Sequence, residues 1–490
     1  MQKAIPRPLI AVLTLSFLFI SINFASSATN ASAKCSKLGQ SKVVLGYVYV
    51  CVKFGKKLSW SKIGVAEVKP TDSPPPIKAP LAEVIPVEQP PDYLKSAEPL
   101  NVCRVPDARK TKTTAFGAIA YPVSSGSVQP VIPNYGGIRV AIIPIDFSDV
   151  PGTVSPSSIL NSEIEQIHKW LKHFSNGKTE YIIQTSEDWI RASKSSDQYQ
   201  WEHPGLGGNR NPNPEAKAGP YRSPSEIATD LMRDAQNKFD YRNLKIVFFV
   251  YPKHIINIYD AMTSFSSVDT NIGRLNLQIN ATGAWLYRNN FPIWSWFLHE
   301  NLHPTGLAGH APMDGSPFNI MTNQSGLALG LSAWDQSILD WQGENQIYCL
   351  SKSNLKEITL PLNSINSDDA NGTKAIFIKI SNSEVLVIES HRYGYWSSGW
   401  LGYPGLPRDF KGLLVYKVDT SIDRNRTSNE EGFSSYLLTK NFDNGTLYSP
   451  YGPAVSLRAL IKVGQEISSN GITISSIKSG SYETVKITRE

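Results

Sequence analysis

The sequence carries no long block of one charge, no second long apolar run, no phosphate-binding glycine loop and no serine-nucleophile elbow. Each absence removes a class. With a net charge of +6 and its 48 basic residues dispersed, the chain has no electrostatic footprint for nucleic acid or an anionic membrane surface. Past residue 20 no stretch of about 18 apolar residues occurs, so no transmembrane anchor is expected. Without the glycine loop or the elbow, P-loop phosphoryl chemistry and serine-nucleophile hydrolysis lack their residues. No repeat of fixed period is visible. What remains is a chain of 490 residues, 41% apolar and 10% aromatic. That is long enough for two or three domains with a substantial core and too apolar for wholesale disorder.

The first residues read as an export signal. Lys3 and Arg7 precede an apolar stretch at 9–20, and small residues including Ala25, Ala28, Ala31 and Ala33 follow. This is the charged, apolar and small-residue order of a signal peptide. Cleavage after Ala28 or Ala33 fits. Lys34 stands where the processing of a lipid-anchored Cys35 needs a small residue, so a lipoprotein is the lesser reading. Export makes disulfides the expected state of the four cysteines. Three connectivities are open. Cys35 and Cys51 flank the alternating stretch 43–50 and suit a stapled hairpin, which leaves Cys103 to pair with Cys349.

Residues 66–100 hold nine prolines and read as an extended linker, because proline fixes φ and removes donors. Beyond it the chain alternates. The patterns predict a strand at 139–147, a helix at 158–174 through Ile159, Ile164, Ile167, Trp170 and Leu171, and a strand at 181–183. A helix at 224–235 capped by Ser223 and a β-prone run at 244–251 follow. From about Asn354 the character changes. Short β-prone runs at 375–380, 385–389, 413–418, 472–477 and 485–487 recur, several of them separated by Asn-Gly turns. They predict an all-β unit of sandwich type. Glu389 and Arg392, near one another in sequence, read as a structural ion pair.

The sharpest signal is Phe297-Leu298-His299-Glu300-Asn301-Leu302-His303. On a helix, positions i and i+4 share a face, so His299 and His303 can reach one Zn2+. Glu300 then stands beside the metal without ligating it. Two neutral imidazoles leave positions for a third ligand and for water. Zinc lowers the pKa of that water to about 7, and the glutamate takes its proton as the water attacks a carbonyl. A pattern of this kind arises by chance in a chain of this length with a probability on the order of 1%. Three of the eight histidines fall within twelve residues here. Pro304 opposes continuation of the helix and Gly306 permits a sharp turn, so His310 can be presented as third ligand, with Asp314 as the fallback carboxylate. Asn319-Ile320-Met321 then suits a turn beneath the site, with Met321 as its floor.

This order of histidine motif, glycine turn and methionine turn resembles the metzincin clan of zinc endopeptidases. In that clan the third ligand lies six residues after the second histidine, where this chain has Gly309; His310 is one residue later. Further segments are similar to the immune inhibitor A family: Ile145-Asp146-Phe147-Ser148-Asp149, Phe174-Ser175-Asn176-Gly177-Lys178, and the passage 331–341 with Leu331-Ser332-Ala333-Trp334-Asp335 and Leu339-Asp340-Trp341. So are Leu386-Val387-Ile388-Glu389-Ser390-His391-Arg392 and Gly412-Leu413-Leu414-Val415-Tyr416-Lys417-Val418-Asp419. The likeness covers residues 135–490 in the same order. It implies a secreted zinc metallopeptidase with His299 and His303 as ligands, Glu300 as general base and a β-rich domain after the catalytic one. It also implies Ca2+ as a second cofactor. Asp368-Asp369-Ala370-Asn371-Gly372 offers oxygen ligands for it, although a solvated turn accounts for those residues as well. Cys103-Arg104-Val105-Pro106-Asp107 looks like the cysteine switch of matrix metallopeptidase propeptides, a role that needs a free thiolate.

The expected architecture is therefore α+β. A signal peptide (1–33) precedes a small Cys35–Cys51 β-hairpin unit (34–65) and the proline-rich linker (66–100). A metzincin-like zinc peptidase domain (101–352) and a β-sandwich (353–490) follow. The expected product is a secreted or cell-surface enzyme that hydrolyses a protein or peptide substrate, with envelope association through its N-terminal unit as a further option. The alternative is a surface adhesion or binding protein that keeps a metal-stabilised peptidase fold without turnover.

Overall fold

The computed structural model describes residues 94–106, 108, 130–201, 211–307, 319–321, 329–366, 372–394, 396, 410–421 and 460–490, with the backbone alone at 41–44, 47–54, 57–65, 113–114, 117–118 and 435–437. The chain divides into two units at about residue 85.

The first unit is an antiparallel meander of β1 (Ser41–Val44), β2 (Tyr47–Phe54) and β3 (Lys57–Val65). It corrects the expected hairpin by one strand. Lys57-Leu58-Ser59-Trp60-Ser61 alternates polar and apolar residues with a period of two, as a strand with one apolar face does. Cys51 lies in β2 opposite Trp60, whereas Cys35, and with it the expected bridge, lies outside the described residues.

In the second unit α1 (Leu100–Cys103) precedes a two-residue ribbon of β4 (Thr113–Thr114) and β5 (Gly117–Ala118). A six-stranded sheet follows. Its strands are β6 (Gly136–Asp146), β7 (Thr179–Gln184), β8 (Ile190–Arg191), β9 (Leu244–Val250), β10 (Met262–Thr270) and β11 (Gly273–Ala281). The order is β10-β11-β9-β6-β7, with β8 also on β6. Every pair is parallel except the β10–β11 hairpin. Parallel strands need crossovers, and α2 (Pro156–Phe174) and α3 (Pro224–Ala235) lie in them. In β6, Val140 and Ile142 enter the same core as Trp170 and Phe174 of α2. Ala141, Ile143 and Ile145 enter the core of Leu231 and Met232 of α3 on the opposite side. Both faces are covered, which is why β6 and β9 read as nearly continuous apolar runs. Ser223 caps α3 in a reciprocal box with Glu226.

After α4 (Ala284–Arg288) comes α5 (Ile293–Thr305), the helix of the histidine motif. It is buried all round except at Glu300, and its buried Ser295, Asn301 and Thr305 donate to carbonyls one turn back, Pro292 O, Phe297 O and Asn301 O. Phe297 stacks on Phe248 of β9 at 4.7 Å between ring centroids. No side chain of its own caps α5. Glu163 of α2 does so instead, its carboxylate accepting from the Trp294 N–H at 2.8 Å. Burial pushes the Glu163 carboxyl up to about 7, against the lowering pull of the Trp294 and Ile293 amides and of Lys253. A raised carboxyl pKa means that the folded chain holds a proton the unfolded chain releases. Stability should therefore fall as pH rises from about 4.5 to about 7 and level off above, by about 3 kcal/mol. Thermal unfolding of Glu163→Gln beside the wild type between pH 4.5 and 8 checks this. Identical pH dependence in the two would refute it.

The remaining strands form two sheets. Five strands, β12 (Ile347–Ser351), β14 (Ala375–Lys379), β15 (Glu384–Arg392), β16 (Lys411–Asp419) and β17 (Ser435–Leu437), lie in that order. The second sheet is β13 (Glu357–Leu362), β20 (Glu483–Arg489), β19 (Ile472–Ser479) and β18 (Glu466–Ser469). The two share a core of Ile376, Ile378, Leu386 and Ile388 with Leu362, Ile474, Val485 and Ile487. The opposite face of the five-stranded sheet, with Phe377, Val387 and Tyr416, belongs to the core of α2 and α5. Helix α6 (Ala333–Ile338) lies in that core as well.

Cys103 of α1 and Cys349 of β12 form a disulfide, so the bond described is not in the N-terminal unit. Cys103 accordingly offers no thiolate for the switch-like role. Residues at the end of the expected linker dock along β12, where Glu98 N donates to Cys349 O at 3.0 Å and Ser96 Oγ to Ile347 O at 2.9 Å. Glu389 and Arg392 do not pair with each other. Three residues apart on one strand, they face opposite sides of the sheet. Arg392 bonds Glu483 at 3.0 Å instead. Among the described residues no helix is long and apolar enough to cross a membrane.

Candidate metal centre

Helix α5 places His299 and His303 one turn apart, their ring centroids 4.9 Å apart and the planes at 87°. Their ligand atoms and a carboxylate oxygen of Glu300 all lie within 4.8 Å of one another, and no other such group of His, Cys, Asp or Glu occurs among the described residues. Both histidines are buried, at 4% and 5% exposure. Each ring is held by a backbone carbonyl: His299 Nδ1 is 2.9 Å from Ile320 O, and His303 Nδ1 is 2.7 Å from Leu307 O. A carbonyl accepts only, so Nδ1 carries the hydrogen in both rings and the lone pair sits on Nε2, the arrangement metal-ligating histidines use. Two neutral imidazoles at this spacing fit a borderline-soft dication such as zinc.

The end of α5 produces one of those carbonyls. Gly306 takes φ 147°, a conformation a β-carbon opposes. The chain there turns back, Leu307 N donating to Leu302 O at 3.0 Å. Asn319-Ile320-Met321 produces the other. Asn319 Oδ1 accepts from Met321 N at 3.0 Å and Ile320 N donates to Gly330 O at 2.7 Å, while Met321 is wholly buried.

Glu300 is the one place where α5 reaches solvent. The surrounding protein nevertheless pushes its carboxyl up to about 8, opposed by a hydrogen bond with Thr263 of β10. Gln278 of β11 donates to the same Thr263 hydroxyl at 2.8 Å. Asn280, a sequon asparagine in sequence, is buried and donates to Asn301 of α5 at 3.2 Å. The Thr263 contact escaped the sequence because β10 is rich in Ser and Thr and carries no motif.

His299, Glu300, His303 and the Met321 turn thus come together. His310, Asp314, Gly309 and residues 367–371 lie outside the described residues. No family model matches the chain, and no curated protein matches it.

Proposed function

We propose that the chain is an exported zinc-dependent metallopeptidase of the immune inhibitor A type. The observation that carries this reading is the pairing of two carbonyl-anchored histidines with a carboxylate at the single solvent-reaching point of their helix. His299 and His303 would hold the metal, with the third ligand, His310 or Asp314, coming from the segment after the helix. When bound, Zn2+ supplies Lewis-acid polarisation of a peptide carbonyl and acidifies water. Glu300 accepts a proton from the attacking water and returns it to the departing amine. Its raised pKa suits both halves of that transfer, and the adjacent dication favours the ionised form needed first. The signal-like N-terminus supports export, and the family likeness supports Ca2+ as a structural cofactor.

The test is hydrolysis of casein by the purified full chain, with and without a zinc chelator, beside His299→Ala. Chelator-sensitive cleavage lost in the variant is the expected outcome. One tightly bound zinc per chain with no cleavage of any unfolded protein would instead favour a binding protein that keeps the metal.

A further inference from the structure

The carbonyl that holds His299 is itself held from the C-terminal β-rich part. Asn319, which closes the Ile320–Met321 turn, donates through Nδ2 to the carboxylate of Asp335. Asp335 belongs to α6, whose first turn is tied by Ser332 Oγ accepting from Asp335 N at 3.1 Å. The start of α6 is fixed from the five-stranded sheet. Glu389 of β15 accepts from Ala333 N at 2.7 Å, and Trp334 N donates to Tyr416 Oη of β16 at 3.2 Å. Tyr416 Oη donates in turn to Glu389 at 3.1 Å, and His391 Nε2 lies 2.8 Å from the other Glu389 oxygen. Asn319, Asp335, Glu389, His391 and Tyr416 are all at most 4% exposed. Buried carboxylates far from solvent are costly unless a specific geometry is gained, and the geometry gained here ends at a metal-ligand ring.

We propose that Asp335 and Glu389 are positioning residues for the metal centre, acting through Asn319 and the Ile320 carbonyl on His299. The β-rich part is then a component of the metal site and not an appendage to it. This inference rests on the metal reading given above.

The experiment measures Zn2+ affinity of the full chain by competition with a chelating dye, well below the unfolding temperature. Asp335→Ala and Asn319→Ala are each expected to bind about 10–100-fold more weakly, the usual cost of removing a group that orients a ligand. Asp335→Asn, which keeps an acceptor for Asn319, is expected to recover most of that loss. The double variant should lose no more than either single one. Arg392→Ala, which breaks a partly buried ion pair between β15 and β20 of the four-stranded sheet, away from the turn, controls for stability. It should lower the unfolding temperature and leave the affinity unchanged. Wild-type affinity in Asp335→Ala and Asn319→Ala overturns the positioning role, and an equal loss in Arg392→Ala reduces it to general stability. Should Asp335→Ala fail to fold, Asn319→Ala and Asp335→Asn carry the same comparison. If the wild type binds no zinc, or His299→Ala binds it equally well, the metal reading itself fails, a result distinct from either.

Discussion

Glu300→Gln is expected to keep one metal ion per chain and to lower kcat for peptide hydrolysis by about 10²–10⁴-fold, the usual span for a general acid–base group. The reason lies in what the substitution leaves alone. His299 and His303 are oriented by Ile320 O and Leu307 O, and neither anchor involves the glutamate. Glutamine fills the same volume, but it cannot take a proton. Wild-type kcat/KM should rise with pH through the pKa of Glu300, because the base must be ionised. A bound dication draws that value below the approximately 8 that the surrounding protein and Thr263 together set. The variant's residual rate should lack that limb. Metal content by mass spectrometry and a pH–rate profile of both proteins check the two halves. Undiminished hydrolysis in the variant would remove Glu300 from the chemistry, and loss of metal would make it a ligand.

Removing the Cys103–Cys349 crosslink should have the largest effect on stability. The bond joins positions 246 residues apart, and it encloses the six-stranded sheet, α5 and the methionine turn. In the chain-entropy picture a loop of that length confers about 5 kcal/mol by restricting the unfolded chain. Imperfect realisation of that term lowers the expected loss to about 3–5 kcal/mol for Cys103→Ala/Cys349→Ala. Both cysteines are fully buried, so the replacement also leaves a small void, which adds to the loss. Urea unfolding of the oxidised wild type and the double variant measures it. A difference under 1 kcal/mol would mean that the docking of Glu98 and Ser96 on β12 already holds this corner closed.

The helix of the site was the most legible element, because the i, i+4 spacing of His299 and His303 and the Pro304-Gly306 stop depend only on local geometry. β9, the strand at 375–379 and the first part of the strand at 384–392 were legible for a different reason: buried on both faces, they carry nearly continuous apolar runs at 246–250, 375–378 and 385–388. β10 was not, since an edge strand with one open side needs few apolar residues and its Met262–Thr270 sequence is mostly hydroxyl-bearing. The two carbonyls that fix the imidazoles could not be read at all, because a backbone oxygen has no residue identity. Glu389 was misjudged in partner only: proximity in sequence suggested Arg392, while the pleat of the strand turns the two apart. The third ligand stayed open for a related reason, since the sequence after Gly306 has no apolar periodicity from which a register could be read.

The five-stranded sheet is packed on both faces, one towards the four-stranded sheet and the other towards α2 and α5. It is therefore a party wall. A chain cut near residue 352 would expose Phe377-side apolar partners on α2 and α6 with nothing to cover them, so recombination that exchanges the C-terminal part for an unrelated module would have to carry this wall along. Residues 86–490 should melt in one calorimetric transition, and in evolution they should travel as one piece.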